Sequence, residues 1–305
     1  MNAAARLDRA AIPHEFLPRV RFDEPLARHT SWHVGGPADV WFEPADGAEL
    51  AGFLGALPPD VPVHFVGLGS NVLVRDGGLR GVTISLHGGL DRLERLDGTR
   101  VHADAGVPCA RVARQCVKWG LGPAEFFAGI PGTVGGALAM NAGAWGGETW
   151  PHVVDVDVVD RAGTRRTRAA AEYRWGYRHL DAPAPREWFV AVRFEFEPRP
   201  DATLDGIKVL LERRRETQPI GEWSCGSTFT NPPGDHAARL IEAAGLKGFA
   251  IGGARVSTKH ANFLINEGEA TAADLERLIA HVREVVERVH GVRLATEVRI
   301  VGEPA

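Results

Sequence analysis

The chain has 305 residues, 44% of them hydrophobic and 24% charged, with a net charge of −4. That length supports two or three domains with substantial cores, and the composition is that of an ordinary globular protein. The mild acidity argues against a nucleic-acid binder, and no stretch approaches the roughly 20 apolar residues of a membrane span. Residues 1–21 carry no secretory signal, so a cytoplasmic location is expected, with neither nucleic acid nor membrane as a partner. Cys109, Cys116 and Cys225 are odd in number and lack a C-x-x-C pair, which favours reduced thiols over a disulfide framework or a zinc site.

In chain order, residues 1–86 read as short strands and turns. An apolar strand over 61–66 enters the loop Gly67-Leu68-Gly69-Ser70-Asn71, and 71–74 and 81–86 look extended beyond it. Residues 87–198 hold a helix over 109–119 and a long loop, Gly129-Ile130-Pro131-Gly132-Thr133-Val134-Gly135-Gly136, which continues to Asn141-Ala142-Gly143. Residues 135–140 suit a buried helical turn whose N-terminus could face a phosphate. Strands over 153–159 and 189–196 follow, the basic run 161–168 reads as a solvated face, and Pro198 and Pro200 with Asp201 mark a boundary. Residues 199–305 begin with a polar helix over 202–216. A second helix runs from an Asp235 N-cap to Gly245. The clearest helix spans 272–290: Thr271 caps it, Asp274 stands three residues on, Gly291 ends it, and Leu275, Leu278, Ile279, Val282, Val285, Val286 and Val289 make one face. A strand over 292–301 closes an α/β or α+β domain.

The two glycine loops carry the first chemical signal. Glycine lets backbone approach a ligand closely and can set successive N–H groups into an anion nest. The first loop has Val72 where a Rossmann fingerprint needs its third glycine, and neither loop continues as a P-loop. One phosphate-bearing cofactor clasped from two sides on a different fold is the reading that fits. Three constellations could carry chemistry. Ser227, within Gly226–Pro232, is a potential proton donor; taken alone it is a turn hydroxyl bonded to its own backbone. Arg178, after Tyr177, suits a carboxylate or a developing enolate; taken alone it is a surface arginine packed on that ring. Glu297 lies in the last expected strand, where alternation alone leaves it solvated. His260, within Lys259–Phe263, has no second histidine at ligand spacing, so no metal is expected.

Taken together these motifs resemble the UDP-N-acetylenolpyruvoylglucosamine reductase family. The matching stretches are His29–Asp39, Gly67–Asp76, Gly129–Glu148, Tyr177-Arg178, Gln218-Pro219, Gly226–Pro232, Ala244–Gly248, Lys259–Asn266 and Glu297–Gly302. The resemblance implies an α+β protein. A two-part FAD-binding domain of the vanillyl-alcohol-oxidase or PCMH type would occupy 1–86 and 87–198, and a C-terminal α/β substrate domain would occupy 199–305. It implies FAD and NADPH as cofactors and a UDP-sugar enolpyruvyl ether as the small-molecule substrate of a monomeric enzyme. By motif, Arg178, Ser227 and Glu297 take the catalytic positions, and Glu297 is expected to have a raised pKa. Gly67, Gly69, Ser70, Asn71, Gly129, Ile130, Pro131, Gly132, Thr133, Gly135, Gly136, Asn141 and Gly143 are expected at the cofactor, and Tyr177, Arg215, Gln218 and Asn231 at the substrate, with Arg214 a weaker candidate. Two departures matter. Leu180 stands where the family motif carries a serine, which leaves Arg174, after Tyr173, as a competitor to Arg178. No tyrosine follows Arg178, which is similar to a shorter subgroup lacking a substrate-covering tyrosine loop. An alcohol oxidase with the same FAD-binding fold and a non-catalytic nucleotide-sugar binder are the competing readings.

Overall fold

The computed structural model describes residues 9–305. Its first sheet is built from β1 (Val20–Pro25), β2 (Pro37–Phe42), β3 (Val63–Val66) and β5 (Leu79–Ser85) in the order β1-β2-β5-β3, while β4 (Val72–Val74) leaves that sheet. β2 and β3 both run parallel to β5. The crossover between β2 and β3 contains a helix, α1 (Gly47–Ala56), where only turns were expected. Asp46 starts it by accepting from the Ala48 and Glu49 amides. Its buried Leu50, Phe53 and Leu54 cover the sheet with Val40, Phe42, Val82 and Ile84.

The second sheet is antiparallel throughout. After β6 (Leu93–Arg95) and β7 (Arg100–Asp104), α2 (Cys109–Lys118) turns Cys109, Val112, Ala113, Cys116 and Val117 inward, a five-position apolar stripe that explains the helix. Next come a short β8 (Leu121–Gly122), α3 (Val134–Met140) and a small hairpin of β9 (Gly143–Ala144) and β10 (Gly147–Glu148). β11 (Val153–Asp160), β12 (Arg165–Ala169), a second hairpin of β13 (Arg174–Gly176) and β14 (His179–Asp181), then β15 (Glu187–Glu195) and β16 (Glu197–Pro198) follow. The sheet order is β12-β11-β15-β7-β6, and among the described residues β13 pairs only with β14. Buried residues of this sheet, α2 and α3 share one core.

In the remainder, α4 (Leu204–Thr217) leads to α5 (Ala237–Ala243), the three-stranded sheet of β17 (Ala250–Ile251), β18 (Ala254–Val256) and β19 (Leu264–Asn266), and α6 (Ala272–His290). α6 has the expected capping box between Thr271 and Asp274, and ends at Gly291 in the left-handed conformation with φ 68°. α5 begins one residue later than expected. His236 is its N-cap, because Asp235 spends its carboxylate on the His236 amide and the Arg239 guanidinium. The expected strand over 292–301 shrinks to β20 (Arg299–Val301), which pairs parallel with β4 in the register Arg299–Val72 to Val301–Val74. Glu297 therefore precedes the strand. Its amide donates to the Thr228 carbonyl, so the end of the chain is stitched to the Ser227 segment and to the first glycine loop together. Among the described residues no helix is long and apolar enough to cross a membrane.

Candidate active site

A cleft of about 350 Å³ opens where the three regions meet. One side is framed by Gly67, Gly69, Ser70 and Asn71, and another by Gly129, Ile130, Pro131, Gly132 and Thr133 with Gly136 and Gly143. The loops nearly touch. A Cβ built on Gly67 would sit 2.6 Å from Thr133 Oγ1, and one on Gly132 would sit 3.3 Å from Ser70 Oγ. The space between them therefore depends on glycine at these positions. Gly69 is also fixed by its backbone: at φ 59°, a Cβ would meet the His29 carbonyl at 1.9 Å.

The third wall carries the titratable groups. Arg178 Nε donates to Glu297 Oε1 at 3.0 Å and Arg178 Nη2 to the Gly143 carbonyl at 3.0 Å. Both side chains are largely buried, at 18% and 13% exposure. Burial is the main influence on Glu297 and raises its pKa, with Arg178 pulling the other way. Ser227 lines the same cleft. Contrary to the turn reading, its hydroxyl is engaged by no other described residue. Its segment is held from below by Asn262: the Thr228 amide donates to the Asn262 carbonyl, the Phe229 amide to Asn262 Oδ1, and Asn262 Nδ2 to the Phe229 carbonyl. This gives the Lys259–Phe263 motif a structural role. His260 supports the clamp through Nδ1, which accepts from the Asn262 amide, and burial lowers its pKa. Cys225 also lines the cleft; burial, then the nearby Glu297, pushes its thiol well above the ordinary range and keeps it neutral.

Several expected contacts lie elsewhere. Gly135 and Asn141 do not line the cleft. The Gly135 amide donates to the Ala105 carbonyl and that of Val134 to the Val107 carbonyl, so the start of α3 spends its first N–H groups on the protein rather than on a phosphate. Asn141 is fully buried and bonded to protein groups on every side. Arg215 is on the exposed face of α4, where its carbonyl accepts from Lys259 Nζ; its neighbour Arg214 lines the cleft instead. Arg214 Nη1 donates to the Gly129 carbonyl and its Nε to Gln218 Oε1, so the expected Gln218 is joined to the second glycine loop through Arg214. Asn231 is exposed, and its Oδ1 accepts from the Ala237 amide at the start of α5. Tyr177 is 50% exposed and lies over the Arg178 guanidinium at 5.2 Å, outside the cleft wall. Arg174 is exposed on β13 and does not reach the cleft, whereas Arg178 does. Arg299, which the sequence reading did not single out, joins Arg178 and Arg214 there, so three arginines face one glutamate in a protein of net charge −4. That local excess of positive charge suits an anionic ligand.

Comparison with known proteins agrees with this geometry. Residues 38–168 match the model of an FAD binding domain, and residues 218–301 match that of the UDP-N-acetylenolpyruvoylglucosamine reductase C-terminal domain. The chain is 59% identical over 285 residues to UDP-N-acetylenolpyruvoylglucosamine reductase of Alkalilimnicola ehrlichii, covering 93% of this chain and 95% of the relative. It is 56% identical to that of Methylococcus capsulatus, covering 92% of each. The crystal structure of the enzyme from Thermus caldophilus superposes with a TM-score of 0.79 at 31% identity, over 92% of this chain and 97% of that one. With an FAD-binding domain of the PCMH type followed by the reductase C-terminal domain, the chain belongs to the UDP-N-acetylenolpyruvoylglucosamine reductase family of FAD-dependent oxidoreductases.

Proposed function

We propose that this cleft reduces the enolpyruvyl ether of UDP-N-acetylglucosamine to UDP-N-acetylmuramate, with NADPH as reductant, in peptidoglycan precursor synthesis. The observation that carries the residue assignment is the Arg178–Glu297 pair at 3.0 Å, set in one cleft with Ser227 and both glycine loops. FAD fits the residues present: the loops abut where side chains would close the gap, and arginines dominate the lining charge. Gly67, Gly69, Ser70 and Asn71 would hold it from one side, and Gly129–Thr133, Gly136 and Gly143 from the other. When bound, FAD supplies the hydride carrier between the nicotinamide and the enolpyruvyl double bond.

The protein's own contribution is charge and a proton. Addition of hydride at the methylene carbon leaves negative charge on the neighbouring carbon and its carboxylate. Arg178 stabilises that charge while Glu297 and the Gly143 carbonyl hold its guanidinium. Burial raises the pKa of Glu297 against the pull of Arg178, which favours its neutral form more than water would. Ser227 gives the proton to the carbon. The three free, buried cysteines suit a reducing cytoplasm.

The test is anaerobic stopped-flow absorbance at the flavin band with Ser227→Ala. Bleaching by NADPH should stay near wild type. Recovery on adding the enolpyruvyl substrate should slow by about 10²–10⁴, the usual weight of a positioned proton donor. Equal slowing of both phases would remove Ser227 from that role, and a wild-type protein that bleaches without recovering would refute the substrate.

A further inference from the structure

Asn141 reads in sequence as part of a cofactor loop, yet its side chain is fully buried and spent on three protein groups. Nδ2 donates to Glu148 Oε2 at 3.0 Å and to the Gly176 carbonyl at 3.0 Å, and Oδ1 accepts from the Trp150 amide at 3.1 Å. The residue sits in the left-handed region at φ 46°, where it ends α3. It thus ties the end of one helix to the β9–β10 hairpin and to the last residue of β13. Gly176 immediately precedes Tyr177-Arg178, the two-residue turn of the β13–β14 hairpin, and among the described residues that hairpin pairs with no other strand.

Arg178 itself has φ 54°. A non-glycine residue keeps such a conformation only where its surroundings impose it. Two anchors do so, and both belong to residues 141–143: the backbone ahead of the turn is held through Gly176 by Asn141, and the guanidinium is held by the Gly143 carbonyl. Met140, next to Asn141, completes the frame from the other side. Asn71 Nδ2 reaches both its sulfur and the Glu297 carbonyl, so the partner of Arg178 is set by the same corner of the fold.

We propose that Asn141 is a positioning residue: its amide clamps the Gly176 carbonyl and thereby holds Arg178 in the left-handed turn that aims it at Glu297 and the substrate carboxylate. The proposal rests on the catalytic reading of Arg178. Asn141→Gly is the informative variant, because glycine adopts positive φ freely, so the backbone conformation is kept while the bond to Gly176 is lost together with those to Glu148 and Trp150. In the FAD-loaded protein, amide hydrogen exchange over residues 174–181 should quicken. Recovery by the enolpyruvyl substrate should slow about tenfold to a hundredfold, as the loss of a buried hydrogen-bond clamp allows. NADPH bleaching and FAD affinity, read by the fluorescence of released flavin, should stay within about twofold.

A mutant cycle with Arg178→Ala gives the decisive comparison. If Asn141 acts through Arg178, the double variant recovers no more slowly than Arg178→Ala alone; independent residues would multiply their effects. Multiplied effects, unchanged exchange over 174–181, or weakened FAD binding with both phases slowed alike would each overturn the proposal. Normal recovery in Arg178→Ala would overturn the catalytic reading itself, and quickened exchange in Asn141→Gly would then identify a clamp of the fold alone.

Discussion

Among the described residues Glu297 is the one acidic group facing three arginines in the cleft lining, and its replacement tests the proposed chemistry most directly. The side chain is 13% exposed and shares a hydrogen bond with a guanidinium that is 18% exposed. Glutamine keeps an oxygen for Arg178 Nε and a nitrogen for a ligand but cannot ionise; alanine removes both. Breaking a fully buried pair costs about 3–5 kcal/mol. Arg178 retains the Gly143 carbonyl and some solvent, so Glu297→Ala should cost about 1–3 kcal/mol of stability. Loss of one preorganised electrostatic group should slow recovery by the enolpyruvyl substrate about 10²–10³ in the alanine variant. If the protonated acid is the working form, wild-type recovery falls as pH rises through the raised pKa of Glu297, and Glu297→Gln abolishes that fall. The linkage has the same direction. A folded pKa above the unfolded value of about 4.3 means that the residue's stabilising contribution is complete below that value and is lost as pH rises through the folded pKa. Glu297→Gln should therefore gain stability relative to wild type across that window, measured by urea titration at several pH values. An unchanged alkaline fall in the glutamine variant, or an alanine variant as fast as wild type, would refute the reasoning.

Two further outcomes separate the assigned groups. Gly67→Ala would press a methyl group against Thr133 Oγ1 at 2.6 Å and part the two loops; FAD affinity, followed by flavin fluorescence, should fall at least about tenfold, and unchanged affinity would place the cofactor elsewhere. Arg174→Ala should leave both kinetic phases within about twofold, as expected of an exposed surface change, whereas Arg178→Ala should slow recovery by about 10²–10³; the reverse ranking would move the catalytic role to Arg174.

How much of this was legible in the sequence depended on whether the deciding contact was local. α6 announced itself because its cap, its apolar face and its terminal glycine all lie within the helix and its flanks. α1 did not: Gly47, Gly52 and Gly55 lower its intrinsic helix propensity, and what fixes it is the Asp46 cap together with the sheet it covers. The last strand was overdrawn for a similar reason. Residues 292–298 have strand-like side chains, but a strand needs an edge to pair with, and β4 offers only Val72–Val74. No local pattern in 292–301 names a partner more than two hundred residues earlier.

The site shows the same division at finer scale. Motif resemblance located both glycine loops, Arg178, Ser227 and Glu297, all of which the fold brings to one cleft. It could not distinguish residues that touch a ligand from residues that shape the walls, since both belong to the same motif. Arg214 and Arg215 are adjacent on α4, and successive helical residues point about 100° apart. Only the packing of α4 against the second glycine loop decides which one faces inward, and it selects Arg214. Gly135 and Asn141 lie within the matching stretch Gly129–Glu148, and the resemblance alone puts them at the cofactor. Their partners, the Ala105 carbonyl and the Gly176 carbonyl, lie 30 and 35 residues away along the chain (135 − 105 and 176 − 141), beyond the reach of any local pattern. The residues around Arg178 were thus visible as letters in the sequence, but their contacts followed from the topology that brings Gly176 back over the end of α3.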